Sequence, residues 1–229
     1  MKLLTILSLT LAILVNSASS LANDHSNHNP FANRATELQT ELVELRRDFH
    51  RHPEVAGEEV RTAQKVSEYL EHLGLEVTKN LGGHGVIGLL KGAKPGKTVV
   101  WRADMAAMHA DEPDPVSFKS EIEGKRHICG HDVHTTIGLG IAKVLSERKN
   151  ELAGNIYFLF QPAEETLRGA ADMIQDGVLD LMKANEIYGA HVSPLQVGVL
   201  SAKPNMVYAD WHHITICLLY TSPSPRDLA

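Results

Sequence analysis

The segment His127-Ile128-Cys129-Gly130-His131-Asp132-Val133-His134 concentrates imidazoles, a thiol and a carboxylate within eight residues. Cys129 and His131 stand two positions apart at the entry to an expected helix. A soft sulfur and an imidazole can therefore face one metal ion. Gly130 permits the bend between them, and a helix N-terminus favours thiolate over thiol. A second cluster, Gln161-Pro162-Ala163-Glu164-Glu165, follows an apolar run that Pro162 ends. One of its carboxylates could bind metal while the other moves a proton of an activated water. The pair could equally sit solvated in the first turn of a helix. His191 is the third candidate. On its own it reads as a core histidine; beside the other two clusters it extends a thiolate, imidazole and carboxylate set suited to zinc or a similar first-row divalent ion.

These clusters need elements to position them. Leu38, Leu42, Leu45 and Phe49 make one apolar stripe and predict a helix over Arg34–Arg51. A second helix is expected from Glu58 to Leu73, with Val60, Ala63, Val66, Leu70 and Leu73 inward and Gly74 as its stop. Leu75–Lys79, Gly85–Leu90 and Thr98–Ala103 read as strands, the last two separated by a turn over Gly92–Gly96. A helix over His134–Leu145, a strand over Gly154–Phe160 buried on both faces, a short helix over Gly169–Gln175 and a strand over Glu186–Val192 follow. Helices alternate with strands, which predicts an α/β fold with a mixed, largely parallel sheet flanked by helices. Both Glu164-Glu165 and His191 then fall at the carboxyl ends of strands, where such sheets bind ligands.

The chain has 229 residues, a formal net charge of −6, 43% hydrophobic and 22% charged residues. Those fractions are globular and exclude a disordered or collagen-like chain. The mild acidic balance, without a Lys/Arg run, argues against nucleic-acid binding. Thirteen histidines against two cysteines favour metal chemistry over a disulfide framework. Lys2, the apolar run Leu3–Val15 and the small residues up to Ala22 read as a cleaved secretory signal over residues 1–22, too short to span a membrane. The expected compartment is periplasmic or secreted, with no stable membrane insertion. Residues 23–33 read as a flexible leader. Oxidising surroundings would let Cys129 and Cys217 pair, but Cys129 has another use in its His-rich motif. Trp211–Leu219 reads as one more strand, and Tyr220–Ala229 has no apolar period and resembles translated adapter sequence.

Several stretches resemble the M20 metallopeptidase family, in its amidohydrolase branch of hippurate, N-acyl-amino-acid and auxin-conjugate hydrolases. They are Arg46–Glu59 (RRDFHRHPEVAGEE), Gly85–Gly92, Val100–Met108 (VWRADMAAM), His127–Thr135, Phe158–Glu165 (FLFQPAEE) with Gly169-Ala170, and Gly189–Val192 (GAHV). The resemblance implies two divalent metal ions, zinc foremost, with manganese, cobalt or nickel as alternatives. It implies that Cys129 bridges them, with His131, Glu165 and His191 as further ligands. Glu164 would be the general base and acid that takes a proton from the attacking water and passes it to the leaving amine. Asp104, Asp132 and His134 would orient the ligands. His50, His52 and Pro53 would be structural. The implied reaction is hydrolysis of the amide bond of small N-acyl amino acids or peptides.

Ala106 stands where the family usually has an acidic residue. Family members are also longer: a lid and dimerisation domain is inserted, and a final metal-ligating histidine follows it. The resemblance thus implies that residues 34–204 correspond to the first part of the catalytic domain and 205–216 to the start of the lid, with 217–229 foreign to both. A chain of that extent would be inactive by itself, and the full-length form a homodimer. Two rival readings are an exported binding module for acyl-amino-acids or metal without turnover, and a dipeptidase of the same superfamily.

Overall fold

The computed structural model describes residues 29–202. The expected signal, most of the leader, the strand over Trp211–Leu219, Cys217 and the tail lie outside the described residues. Two compact units divide at Val192. In the second, residues 193–202 carry two local turns, closed by Leu195 N–H to Ser193 O and Val199 N–H to Gln196 O. The site belongs to the first.

The chain enters through α1 (Pro30–Glu37) and α2 (Gln39–Arg51), separated by the single residue Leu38. Sequence periodicity predicts one helix here, starting four residues later. Helix formation begins earlier because the Asn29 side chain accepts the N–H groups of Phe31 and Ala32 and Pro30 occupies the first helical position. The end of the presumed leader is therefore helical. α3 (Val60–His72) starts where both Glu54 carboxylate oxygens accept backbone N–H groups, from Arg61 and Thr62. Val66 and Leu70 are its buried face; Val60, expected inward, is exposed because it lies at the very start of the helix.

β1 (Glu76–Leu81), β2 (Gly85–Lys91) and β3 (Lys94–Asp104) follow, then the short pair β4 (Met108–His109) and β5 (Lys125–Arg126). β3 starts earlier than expected, because Lys94 already pairs with Ala153 across an irregular stretch that ends at Thr98. α4 (His131–Ser146) leads to β6 (Ala153–Gln161), a short 3-10 turn (Glu164–Thr166), α5 (Gly169–Gln175), α6 (Val178–Met182) and β7 (Glu186–Gly189). α4 begins at His131, so that histidine sits in the first helical turn and not ahead of it. α6, too short for a visible period, was not expected, and β7 stops at Gly189, before Val192.

The five-stranded sheet runs β1-β2-β6-β3-β7. β1/β2 and β2/β6 are antiparallel, while β6/β3 and β3/β7 are parallel. The sheet is mixed, as expected, with its parallel half carrying the site. Alternation along the strands feeds two cores. On one face Val86, Leu90, Phe158 and Phe160 meet Phe49, Val66, Leu70 and Leu139. On the other Ile87, Val100 and Leu159 meet Met173, Val178 and Met182. Burying each such side chain stabilises by about 1.5–3 kcal/mol, so the central strands are rigidly placed. Asp104 and Gln161 end β3 and β6 side by side, and Gly189 pairs with Arg102. Three parallel strands thus finish at one edge.

Candidate metal centre

That edge gathers most of the residues singled out in the sequence. His131 is fully buried. Its Nδ1–H donates to the Ala106 carbonyl at 2.7 Å. A carbonyl can only accept, so the Nε2 lone pair is left facing the cluster. Nε2 lies 3.7 Å from Asp104 Oδ2, 3.7 Å from Glu164 Oε2 and 3.7 Å from Glu165 Oε1. Ala106, the departure from the family pattern, contributes through its main chain, which a change of side chain leaves in place.

Cys129 Sγ lies 3.4 Å from His191 Nε2. His191 Nδ1–H donates to the Val192 carbonyl at 2.6 Å, which again turns the other ring nitrogen toward the cluster. Gly130 joins Cys129 to His131 in a left-handed conformation, φ 89°. A Cβ built there would stand 2.4 Å from Val192 Cγ2. The turn can therefore pass beside the end of β7 only with glycine at this position.

Asp104 and His134 act differently. His134 Nδ1–H donates to Asp104 Oδ1 at 2.6 Å, and its Nε2 accepts the Val192 N–H at 2.9 Å. Both nitrogens are thereby engaged, and the ring ties β3, α4 and the segment after β7 together. Arg102 reaches Asp104 Oδ2 at 2.7 Å and Gln161 Oε1 at 2.8 and 3.0 Å. Burial works to raise the Asp104 carboxyl, but the His134 hydrogen bond and the neighbouring His131 and Arg102 outweigh it and hold the group well below the usual carboxylate range. Asp132 turns away from the cluster. Its Oδ2 meets Arg46 Nε at 2.7 Å and His50 Nδ1 at 2.8 Å. His50 Nε2 reaches Asp114 at 3.0 Å, so His50 spans two carboxylates and fastens the loop before β5 to α2. His127 is also outside the cluster; burial lowers its ring pKa to about 4.

The donor set fits a metal ion. Among the described residues, Cys129/His131/His191, Asp104/His131/His134 and His131/Glu164/Glu165 each bring ligand atoms within 4.8 Å of one another. His131 Nε2 and Glu165 Oε1 are buried without a hydrogen-bond partner. Orphaned buried polar atoms are costly, and a cation between them removes that cost. Burial, then the charges of Glu165, Glu164 and Asp104, push the Cys129 thiol up to about 12. Burial and the carboxylates thus oppose the thiolate that the helix N-terminus was expected to favour. Burial also raises the Glu165 carboxyl, helped by Glu164 and Asp104 and opposed by His131. Excess negative charge of this kind is what a divalent cation neutralises.

Glu59, Arg102 and Gln161 had no role in the sequence reading. Arg102 and Gln161 lie at the ends of apolar strands, a position at which a polar residue signals a site. Glu59 has no such signal: a glutamate ahead of a helix looks like any solvated one.

Fold and site define an α/β domain with a candidate metal-ligand cluster at the carboxyl edge of its parallel strands. The family model for peptidase family M20/M25/M40 matches residues 100–214, half of the chain. The chain belongs to that family. A probable hydrolase of Synechocystis, sll0100, is 44% identical over 173 residues, covering 73% of this chain and 43% of that protein. The N-acetylcysteine deacetylase of Bacillus subtilis is 39% identical over 184 residues, 78% of this chain and 48% of that protein. The crystal structure of B. subtilis YXEP, a dinuclear metal-binding peptidase of the M20 family, superposes with a TM-score of 0.65 at 38% identity over 69% of this chain and 44% of that one. The chain spans less than half the length of these relatives.

Proposed function

We propose that this chain carries the metal-binding and proton-transfer residues of an amidohydrolase that cleaves N-acyl amino acids. The observation that carries the reading is the arrangement around His131: its Nε2 faces two adjacent glutamates at 3.7 Å, with the Cys129–His191 pair alongside. Cys129, His131, Glu165 and His191 would hold two divalent ions, zinc by the donor chemistry. When bound, such metal makes water nucleophilic near neutral pH and polarises the scissile carbonyl. Glu164 does the proton work. Its carboxylate, half-buried at the mouth of the cluster, takes a proton from the attacking water and returns it to the leaving nitrogen. Ala106 O and Val192 O hold the tautomers of His131 and His191. The substrate class is supported by relatives named N-acetylcysteine deacetylase and IAA-amino acid hydrolase, the latter, from Arabidopsis thaliana, 41% identical. Export is supported by the run Leu3–Val15 after Lys2 and the small residues that follow it.

The test is amino-acid release from N-acetyl and N-benzoyl amino acids by the full-length protein that carries this segment, loaded with zinc, manganese, cobalt or nickel, with Glu164→Gln alongside. The reading expects metal-dependent release that falls at least a hundredfold in the variant. Release that survives chelation, or is undiminished in Glu164→Gln, would contradict it.

A further inference from the structure

Glu59 is wholly buried, and no described cation pairs with it. Its two oxygens serve backbone donors instead: Oε2 accepts Gly57 N–H at 2.8 Å, and Oε1 accepts Ala163 N–H at 2.7 Å. Ala163 directly precedes Glu164 and Glu165. We propose that Glu59 is a positioning residue for the metal centre, holding from below the turn that presents those two carboxylates. The proposal rests on the reading of the site given above.

The turn needs such a hold. Ala163 has φ 49° and Leu167 φ 57°, left-handed conformations that non-glycine residues rarely adopt and that persist only where surroundings impose them. Leu167 N–H to Glu164 O and Gly169 N–H to Ala163 O close the turn internally. A Cβ on Gly169 would stand 1.6 Å from Pro162 O, so the chain doubles back at van der Waals limit. Among the described residues, Glu59 is the one side chain from another element that bonds the backbone between Pro162 and Gly169. It sits one residue ahead of α3, whose Val66 and Leu70 are locked in the core. The hold is therefore rigid. A rotation at Ala163 would carry both glutamates away from His131 Nε2, their shared neighbour at 3.7 Å. A buried carboxylate suits the task because each oxygen can only accept, so it cannot swap partners as an amide can.

Cobalt(II) titration of wild type, Glu59→Gln and Glu59→Ala, read by visible absorption, tests this, with hydrogen exchange over residues 162–167 in the metal-free protein. Leu90→Ala serves as a destabilised control: it is buried in the core but pairs with Ile156, at the end of β6 away from the turn. The expected result is cobalt affinity about tenfold weaker in Glu59→Gln, weaker still in Glu59→Ala, with shifted absorption bands and faster exchange at the turn. Leu90→Ala should lower the melting temperature and leave the bands unmoved. Wild-type affinity, bands and exchange in both Glu59 variants would overturn the proposal, as would an equal band shift in Leu90→Ala. Should wild type take up no cobalt, the functional reading fails by itself, and the exchange comparison still decides whether Glu59 holds the turn: unchanged rates refute it and faster rates support it.

Discussion

Gly130→Ala isolates the geometry that brings Cys129 and His131 against His191. Two penalties act together. The left-handed conformation of residue 130, φ 89° and ψ 19°, costs an L-residue about 1–2 kcal/mol. The new methyl would overlap Val192 Cγ2 at 2.4 Å, and relieving it by a rotamer change or backbone shift costs about 1–3 kcal/mol. The variant should lose about 2–5 kcal/mol in urea denaturation, and zinc affinity should fall with it, because the same shift parts Cys129 from His191. Val192→Ala, at a partly exposed residue, should cost little alone and restore the overlap share, but not the conformational share, in the double variant. A double-mutant cycle gives the coupling directly. Equal stability of Gly130→Ala and wild type, or a coupling energy of zero with Val192→Ala, would refute the reasoning.

Other outcomes follow from the same structure. Burial works to raise the Asp48 carboxyl, but hydrogen bonds from Lys65 and Arg61 outweigh it and hold the group below its ordinary value. Its stabilisation is therefore present above the unfolded carboxylate pKa of about 4 and is lost as pH falls through the lower folded value; because solvent screens the partly exposed pairs with Arg61 and Lys65, Asp48→Asn should cost only about 0.2–1 kcal/mol at pH 7 and less at pH 2, read by chemical denaturation at both. His134→Ala removes the tie between Asp104 and the Val192 N–H, and should cost about 1–3 kcal/mol and loosen the segment after β7, visible as faster exchange at Val192. Leu70→Ala, in the main core, should cost about 2–5 kcal/mol in the same denaturation assay.

Much of this site was legible before any coordinates. Glu164, Glu165 and His191 follow strand-like runs and Cys129 and His131 precede one with helical periodicity, so α/β alternation put the carboxylates and His191 at strand ends; the grouping of all five into one site came from the family resemblance. The elements lost to sequence reading lack that periodicity. α1 begins inside a polar stretch and depends on the Asn29 cap; α6 has five residues, under two turns. The turning-away of Asp132 depends on Arg46 and His50, more than eighty residues distant. Nor could spacing show that Ala106 serves His131 through its carbonyl, or that a glutamate of the PEVAGEE segment reaches a turn 104 residues later. Such contacts exist only once the sheet has folded.

The central claim is a metal centre with Cys129 as a ligand. X-ray absorption at the zinc edge of the loaded protein, compared with Cys129→Ser, tests it most directly. The account predicts a sulfur shell at about 2.3 Å beside nitrogen and oxygen at about 2.0–2.1 Å, with the sulfur shell lost in the variant. A shell of nitrogen and oxygen alone in wild type, or sulfur that persists in Cys129→Ser, would contradict it.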